Sequence, residues 1–317
     1  MLQAAVSNTP GKGILVCQCY DQKSRFSRIH AQYPLKFVPT TGHADRLAVV
    51  YMLSYGGGIV SGDTFDVSVT VEPRAILLLM TQGNTKVFKD RADQQRWLAT
   101  RTLKDTSKTP QHRLPSSLQV INAKVAASGA TLLVMPDPVT SFRNSSFSSR
   151  QTFTLADDTS QLVLLDWFTS GRLSRGESWS FQHYSSRIDV KLGQKMVLRD
   201  HMVLDDDNFD PDNTSYAARL QPYTCFATLI VVSAPGEPLF EQSIKAIQAK
   251  ADKERILSAA RPRPLLWSSS VFLKGRGMLV RVAGMTTEQV RDFLKLECLG
   301  QGLSSLVGQG MFSKILM

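Results

Sequence analysis

The chain has 317 residues, 43% hydrophobic and 20% charged, enough to bury one large core or two smaller ones. Lys and Arg outnumber Asp and Glu by 37 to 27, giving a formal net charge of +10 and an isoelectric point near 9.5, which favours acidic partners. The basic residues are dispersed without interleaved aromatics, no apolar run approaches the ~20 residues of a bilayer span, and the start MLQAAVSNTPGKGILV lacks the pattern of a secretory signal; a cytoplasmic protein with no nucleic acid and no membrane is therefore expected.

Strand signals dominate the first three quarters of the chain. In the strand expected over Ile14–Tyr20, Cys17 and Cys19 sit two apart on one face, a spacing open to a soft metal or to plain core packing. Four scattered cysteines make no disulfide framework. The run SYGGGIVSGDTFDVSVTVEPRAILLLMTQGNTKVFKDR is the most informative stretch. Gly56, Gly57 and Gly58 mark a tight turn, and the carboxylate of Asp63 follows Gly62. Phe65, Val67, Val69 and Val71 then alternate with Thr64, Asp66, Ser68 and Thr70, the period of a strand with one buried face. Ile76–Met80 reads as a strand buried on both sides, followed by a polar turn of Thr81, Gln82, Gly83, Asn84, Thr85 and Lys86. Polar groups thus collect at strand ends.

The polar stretch Arg101–Ser117 is expected to be a mobile insertion. Further strands are expected at Leu118–Ala126, Ala130–Met135, Ser148–Leu155, Leu162–Phe168, Ser178–Tyr184, Arg187–Leu192, Lys195–Leu204, Cys225–Val232 and Met278–Val282, with Leu192, Gly193 and Gln194 as a hairpin turn. So many short strands argue for a mainly β sandwich, barrel or coiled stack of sheets. Two helices are expected near the C-terminus. Pro238–Leu257 carries Leu239, Ile244, Ile247, Ala251 and Ile256 near helical period; the second starts at a capping box of Thr286 and Gln289, with Val290, Phe293, Leu294 and Leu296 or Cys298 as its apolar stripe. No internal repeat is visible. Residues 1–317 read as one β-rich domain, with 237–317 as a helix-containing part packed on the β body.

Most catalytic signatures are missing. There is no GxxxxGK[ST] phosphate loop, Ser61 stands where GxGxxG needs its third glycine, and no GxSxG elbow occurs around any serine. The five histidines carry no local signature. Asp205, Asp206, Asp207, Asp210 and Asp212 read as a solvated loop, lacking the glycine and distal glutamate of a calcium-binding loop. Asp63 and Glu177 keep open a β-rich carbohydrate-active hydrolase working through two carboxylates. In DWFTSGRLSRGESWSF, Arg172 and Glu177 are placed to pair and fix a turn or to serve an interface.

Taken in order, GILVCQCY, YPLKFVPT, AVVYMLSYGGGIVSGD, TQGNTKVF, MPDPVTSF, DWFTSGRLSRGE and FLKGRGMLVRVAG resemble the UreD (UreH) family of urease accessory proteins, in the form these segments take in fungal and other eukaryotic members. The resemblance covers most of the chain. It implies a non-enzymatic urease maturation chaperone folded as stacked, helically arranged β-sheet layers with a few helices. It implies binding to apo-urease and to a UreF-like protein, which recruits a UreG-like GTPase, and passage of a transient nickel ion with no tightly bound cofactor. Carried onto this chain, the nickel path falls on Asp63, Asp66, Thr81, Thr85 and Asp137, with Gly56, Gly57, Gly58, Lys86, Arg172 and Glu177 as structural or interface residues. Where many bacterial members carry an acid before the proline of MPDP, this chain has Leu132, Leu133 and Val134.

Overall fold

Short apolar strands that cannot bury both faces alone do so here by stacking as successive coils of one chain. The computed structural model describes residues 9–41, 46–90, 117–205, 215–256, 263–300 and 302–316. Three coils each contribute a long strand, a two- or three-residue strand and a second long strand. They are β4 (Leu47–Ser54), β5 (Gly58–Ile59) and β6 (Thr64–Val71); β7 (Ile76–Met80), β8 (Thr85–Val87) and β9 (Ser117–Val125); and β10 (Thr131–Met135), β11 (Val139–Ser141) and β12 (Ser146–Leu155). A fourth coil runs from β13 (Gln161–Thr169) to β14 (His183–Leu192). Within each sheet successive coils pair in parallel, so the body is a coiled stack of sheets, as expected from sequence.

Both ends of the stack bring in antiparallel pairing. At one end lie β1 (Lys12–Tyr20), β2 (Lys23–Ala31) and β3 (Leu35–Thr40); at the other lie β15 (Lys195–Asp205), β16 (Cys225–Val232), β17 (Leu265–Phe272) and β18 (Gly277–Gly284). β1 itself continues the parallel ladder beside β6 before β2 turns back on it. The resulting sheets run β15-β14-β12-β9-β6-β1-β2 and β17-β18-β16-β13-β10-β7-β4-β3, with β5, β8 and β11 bridging a corner of the second.

Register explains why no repeat is legible. Leu47, Ile76, Thr131 and Gln161 pair in one row across four coils, yet they lie 29, 55 and 30 positions apart. The long interval contains residues 91–116, which lie outside the described residues and hold nearly all of the expected insertion. Ser117, at its end, is instead the fully buried first residue of β9.

Between the two sheets lies one core, formed by Val50, Leu77, Leu79, Val134, Leu164 and Ile230 against Val67, Ile121, Phe153 and Ile188. The outer face of the larger sheet is buried too. Against Leu78, Leu133 and Val163 pack α2 (Pro238–Ile256), α3 (Thr287–Asp292) with its wide-turn continuation Phe293–Cys298, α4 (Leu303–Val307) and α5 (Gln309–Phe312). A short α1 (Tyr216–Leu220) precedes them. Double coverage is why β7 reads ILLLM with almost no alternation, each buried leucine contributing roughly 1.5–3 kcal/mol. The capping box of α3 forms as expected: Thr286 accepts from the Gln289 N–H and Gln289 answers it. Cys298 joins the buried stripe, whereas Leu296 is 63% exposed.

Three expectations change. The Ser178–Tyr184 strand does not form, because the N–H groups of Trp179 and Gln182 donate to the carbonyls of Ser170 and Ser145 in a corner; the ladder starts at His183 and absorbs Arg187–Leu192. Strands β2, β3, β4, β5, β8, β11 and β17 add to those expected, β5 and β8 drawing Gly58, Thr85 and Lys86 out of the expected turns, while β2 and β17 are edges whose charged or serine-rich alternation hides them. Of the aspartate cluster, only Asp205 is described, paired with His183 at 3.1 Å; Asp206, Asp207, Asp210 and Asp212 lie outside the described residues.

The triple glycine is structural in two ways. Gly56 and Gly57 have φ of +84° and +75°, and a Cβ on Gly58 would meet the Lys86 carbonyl oxygen at 2.5 Å and the Phe88 ring at 2.6 Å, where β5 lies against β8. Gly58→Ala is therefore expected to cost about 1–3 kcal/mol in urea unfolding, by forcing two coils apart. Unchanged stability would mean that β5 yields without loss.

Candidate functional site

The parallel register lines up side chains of equal rank into rows along the stack, and one interior row is polar. On the smaller sheet Phe65, Gln119, Ser149 and Ser186 pair in sequence across β6, β9, β12 and β14. Facing them on the larger sheet is Asp166 of β13, which pairs with Thr228 of β16 and then with Arg281 of β18. Asp166 accepts hydrogen bonds from the Gln151 amide at 3.3 Å and the Ser186 hydroxyl at 2.5 Å. The Ser149 hydroxyl, on the same row, is buried and without a partner.

Three adjoining spaces follow this row. An open cleft of about 230 Å³ is lined by Ser54, Gly57, Thr81, Asn84, Thr85 and Gln119. Thr81, Thr85 and Gln119 also line an internal cavity of about 30 Å³ that reaches Asp137, Gln151 and Asp166. Asp166 is shared with a third, about 10 Å³, bounded by Ser186, Asp200 and Thr228. The inner two are near the size of one water molecule or one bare ion. At the far end Asp200 accepts from Thr228 at 3.4 Å and pairs with Arg281, joining β15 to β18 across the two sheets.

The turns set the carboxylates. Asp137 follows β10, its backbone N–H donates to Thr81 Oγ1 at 2.8 Å, and its Oδ2 accepts from the Gly83 N–H at 2.7 Å. Burial raises the Asp137 carboxyl above the usual aspartate range, partly offset by that Gly83 N–H. Burial likewise raises Asp166, opposed by the Ser186 and Gln151 donors and reinforced by the negative charge of Asp200. Both groups therefore hold protons more tightly than ordinary aspartates and gain from a cation. Burial pushes the Cys17 thiol up to about 12, with Cys19 adding to it, and Cys225 and Cys298 also to about 12. Among the described residues, no three of His, Cys, Asp and Glu cluster at metal-binding distance.

Of the residues named from sequence, Thr81, Thr85 and Asp137 meet at the cleft and first cavity. Asp63 does not line them. It sits at the corner between β5 and β6, where its Oδ2 accepts from the Val60 N–H at 3.2 Å and burial raises its carboxyl. Asp66 stands beside Lys12 on the side of β6 opposite Phe65 and Val67, away from the core. Lys86 is exposed, next to Gly58. Sequence reasoning passed over Asp166, although a lone acid at the core-facing parity of LVLLDWF is an informative signal.

Arg172 and Glu177 pair as expected, with Arg172 Nε donating to Glu177 Oε2 at 2.8 Å while the guanidinium lies 3.8 Å over the Phe142 ring. They border a groove of about 670 Å³ with Val60, Phe88 and Phe142. Arg172 holds the Glu177 carboxyl below its usual range, and Asp63 does not line that groove. The two carboxylates of the hydrolase reading share no cavity.

Comparison with known proteins bears on this geometry. Residues 10–302 match the family model described as UreD urease accessory protein. The chain is 31% identical to urease accessory protein 4 of Cryptococcus neoformans var. grubii, over 99% of this chain and 98% of that protein. It is 30% identical to the urease accessory protein UreD of Sorangium cellulosum, over 90% and 78%, and 29% identical to urease accessory protein D of Arabidopsis thaliana, over 95% and 99%.

Because the Asp137 carboxyl is raised in the fold, its charged form is disfavoured there, and its contribution to stability falls as pH rises through the folded value. Asp137→Asn, which keeps an oxygen for the Gly83 N–H, is expected to melt at or above the parent temperature at neutral pH without metal. That gap should close as the pH drops into the ordinary aspartate range. A variant that melts lower at neutral pH would show that the ionised carboxylate stabilises the fold.

Proposed function

The chain belongs to the UreD family of urease accessory proteins and its role lies in urease maturation, and from that premise we propose that it acts as scaffold and conduit in the delivery of nickel to apo-urease. In this reading it binds apo-urease together with a UreF-like protein, which brings a UreG-like GTPase, and nickel released after GTP hydrolysis is handed through this chain. The chain itself transforms no substrate.

The observation that carries the reading is the polar row through an otherwise apolar core. An arriving divalent cation meets hydroxyl and amide oxygens of Thr81, Thr85 and Gln119, then the carboxyls of Asp137 and Asp166. Burial disfavours the lone charge of each carboxyl, and a cation beside it relieves that cost. Scattered oxygens bind weakly enough to release the ion onward, whereas a closed set of thiolates would retain it.

Coexpression of urease with the other accessory proteins, omitting this chain, is expected to yield nickel-poor, inactive urease; active urease at normal yield would remove the proposal. Asp137→Ala and Asp166→Ala are expected to lower urease activation by roughly tenfold or more, as loss of metal-supporting groups does elsewhere, while apo-urease still co-purifies. Loss of co-purification would assign both residues to folding instead.

A further inference from the structure

The two long sheets differ on their outer faces. The larger is apolar outside and covered by helices, while the smaller presents seven strands to solvent with no helix packed on it among the described residues. Three outward rows cross that bare face. One runs Lys12, Asp66, Val120, Arg150, Arg187 and His201. The next runs Ile14, Ser68, Asn122, Thr152, Asp189 and Arg199, and the third Val16, Thr70, Lys124, Thr154, Lys191 and Met196.

Six cations rise from a floor of small hydroxyl and amide side chains, against two carboxylates. One of the two carboxylates is already engaged. Asp189 is held by Arg187 at 2.8 Å and Arg199 at 2.7 Å, so that trio keeps a net positive charge, and Asp66 stands in register beside Lys12. Lys124 and Arg150 are exposed and Arg199 has 53% of its side chain accessible. Seven strands at about 4.8 Å spacing and about eight residues long give a face of roughly 30 by 25 Å, near the ~800 Å² that each partner contributes to a stable protein complex.

We propose that this bare sheet face is a docking surface for a protein that presents an acidic patch of matching size. A charge excess of one sign on a face of that area steers an oppositely charged partner and raises its association rate. A protein fits better than a nucleic acid, because the three rows carry no aromatic side chain on which bases stack. Using apo-urease as the probe rests on the reading given above; the character of the surface does not.

The test compares the full chain with a Lys124→Glu/Arg150→Glu/Lys191→Glu variant, three positions outside the core and outside the polar row. Binding to immobilised apo-urease is measured at low and at high salt, with poly-L-glutamate and a short DNA duplex as competitors. Parent binding is expected to weaken steeply with salt and to be competed by poly-L-glutamate. The variant should bind at least tenfold more weakly at low salt, with unchanged thermal melting. Equal binding by variant and parent at both salts would overturn the proposal, as would competition by the duplex alone. If the parent ignores apo-urease altogether, the maturation reading fails, while direct binding of poly-L-glutamate by parent and not by variant still decides the surface.

Discussion

Parallel backbone pairing between coils fixes everything else in this molecule. Once β4, β7, β10 and β13 hydrogen-bond in register, every side chain of one rank falls into a row with its counterparts above and below. Apolar rows make the core. A polar residue at one rank cannot be an isolated defect, because its neighbours along the row must supply partners or leave buried groups unsatisfied. Gln151 and Ser186 at Asp166 and Thr228 at Asp200 meet that need, whereas the Ser149 hydroxyl is left without one. A row of neighbouring polar residues is thus what the stacking geometry makes of a few polar positions.

Covering only one sheet divides the labour between faces. The helices bury the apolar outside of the larger sheet, which leaves its central strand β7 almost purely aliphatic. The smaller sheet alternates, its inward side chains apolar apart from the polar row and its outward ones largely basic or hydroxyl-bearing. Ion pairs serve the corners: Arg281 with Asp200 ties the two sheets at one end, and Arg172 with Glu177 braces the turn after β13.

The interior carboxyls work against the stability of the fold that holds them. Burial raises Asp137 and Asp166, so each is better off protonated or beside a cation than ionised alone. In the proposed conduit role, a cation's arrival would relieve that imbalance and its departure restore it.

Sequence by itself determined the alternation of β6, the doubly buried ILLLM of β7, the capping box of α3, the glycine turn and the Arg172–Glu177 pair, because each depends on neighbours within a few residues. It also carried the ordered segments that resemble the family. Only the tertiary structure decided which polar residues meet. Asp137 and Thr81 are 56 positions apart and are joined by one hydrogen bond, and Asp200 and Arg281 are 81 apart, distances along the chain that no local pattern encodes. The repeat itself was hidden because one coil is nearly twice as long as its neighbours, so equal ranks in space are unequally spaced in sequence. Asp63 and Asp66 read alike as acids near a strand start, yet strand parity and a corner placed both away from the row, and it is the register between coils that made that choice.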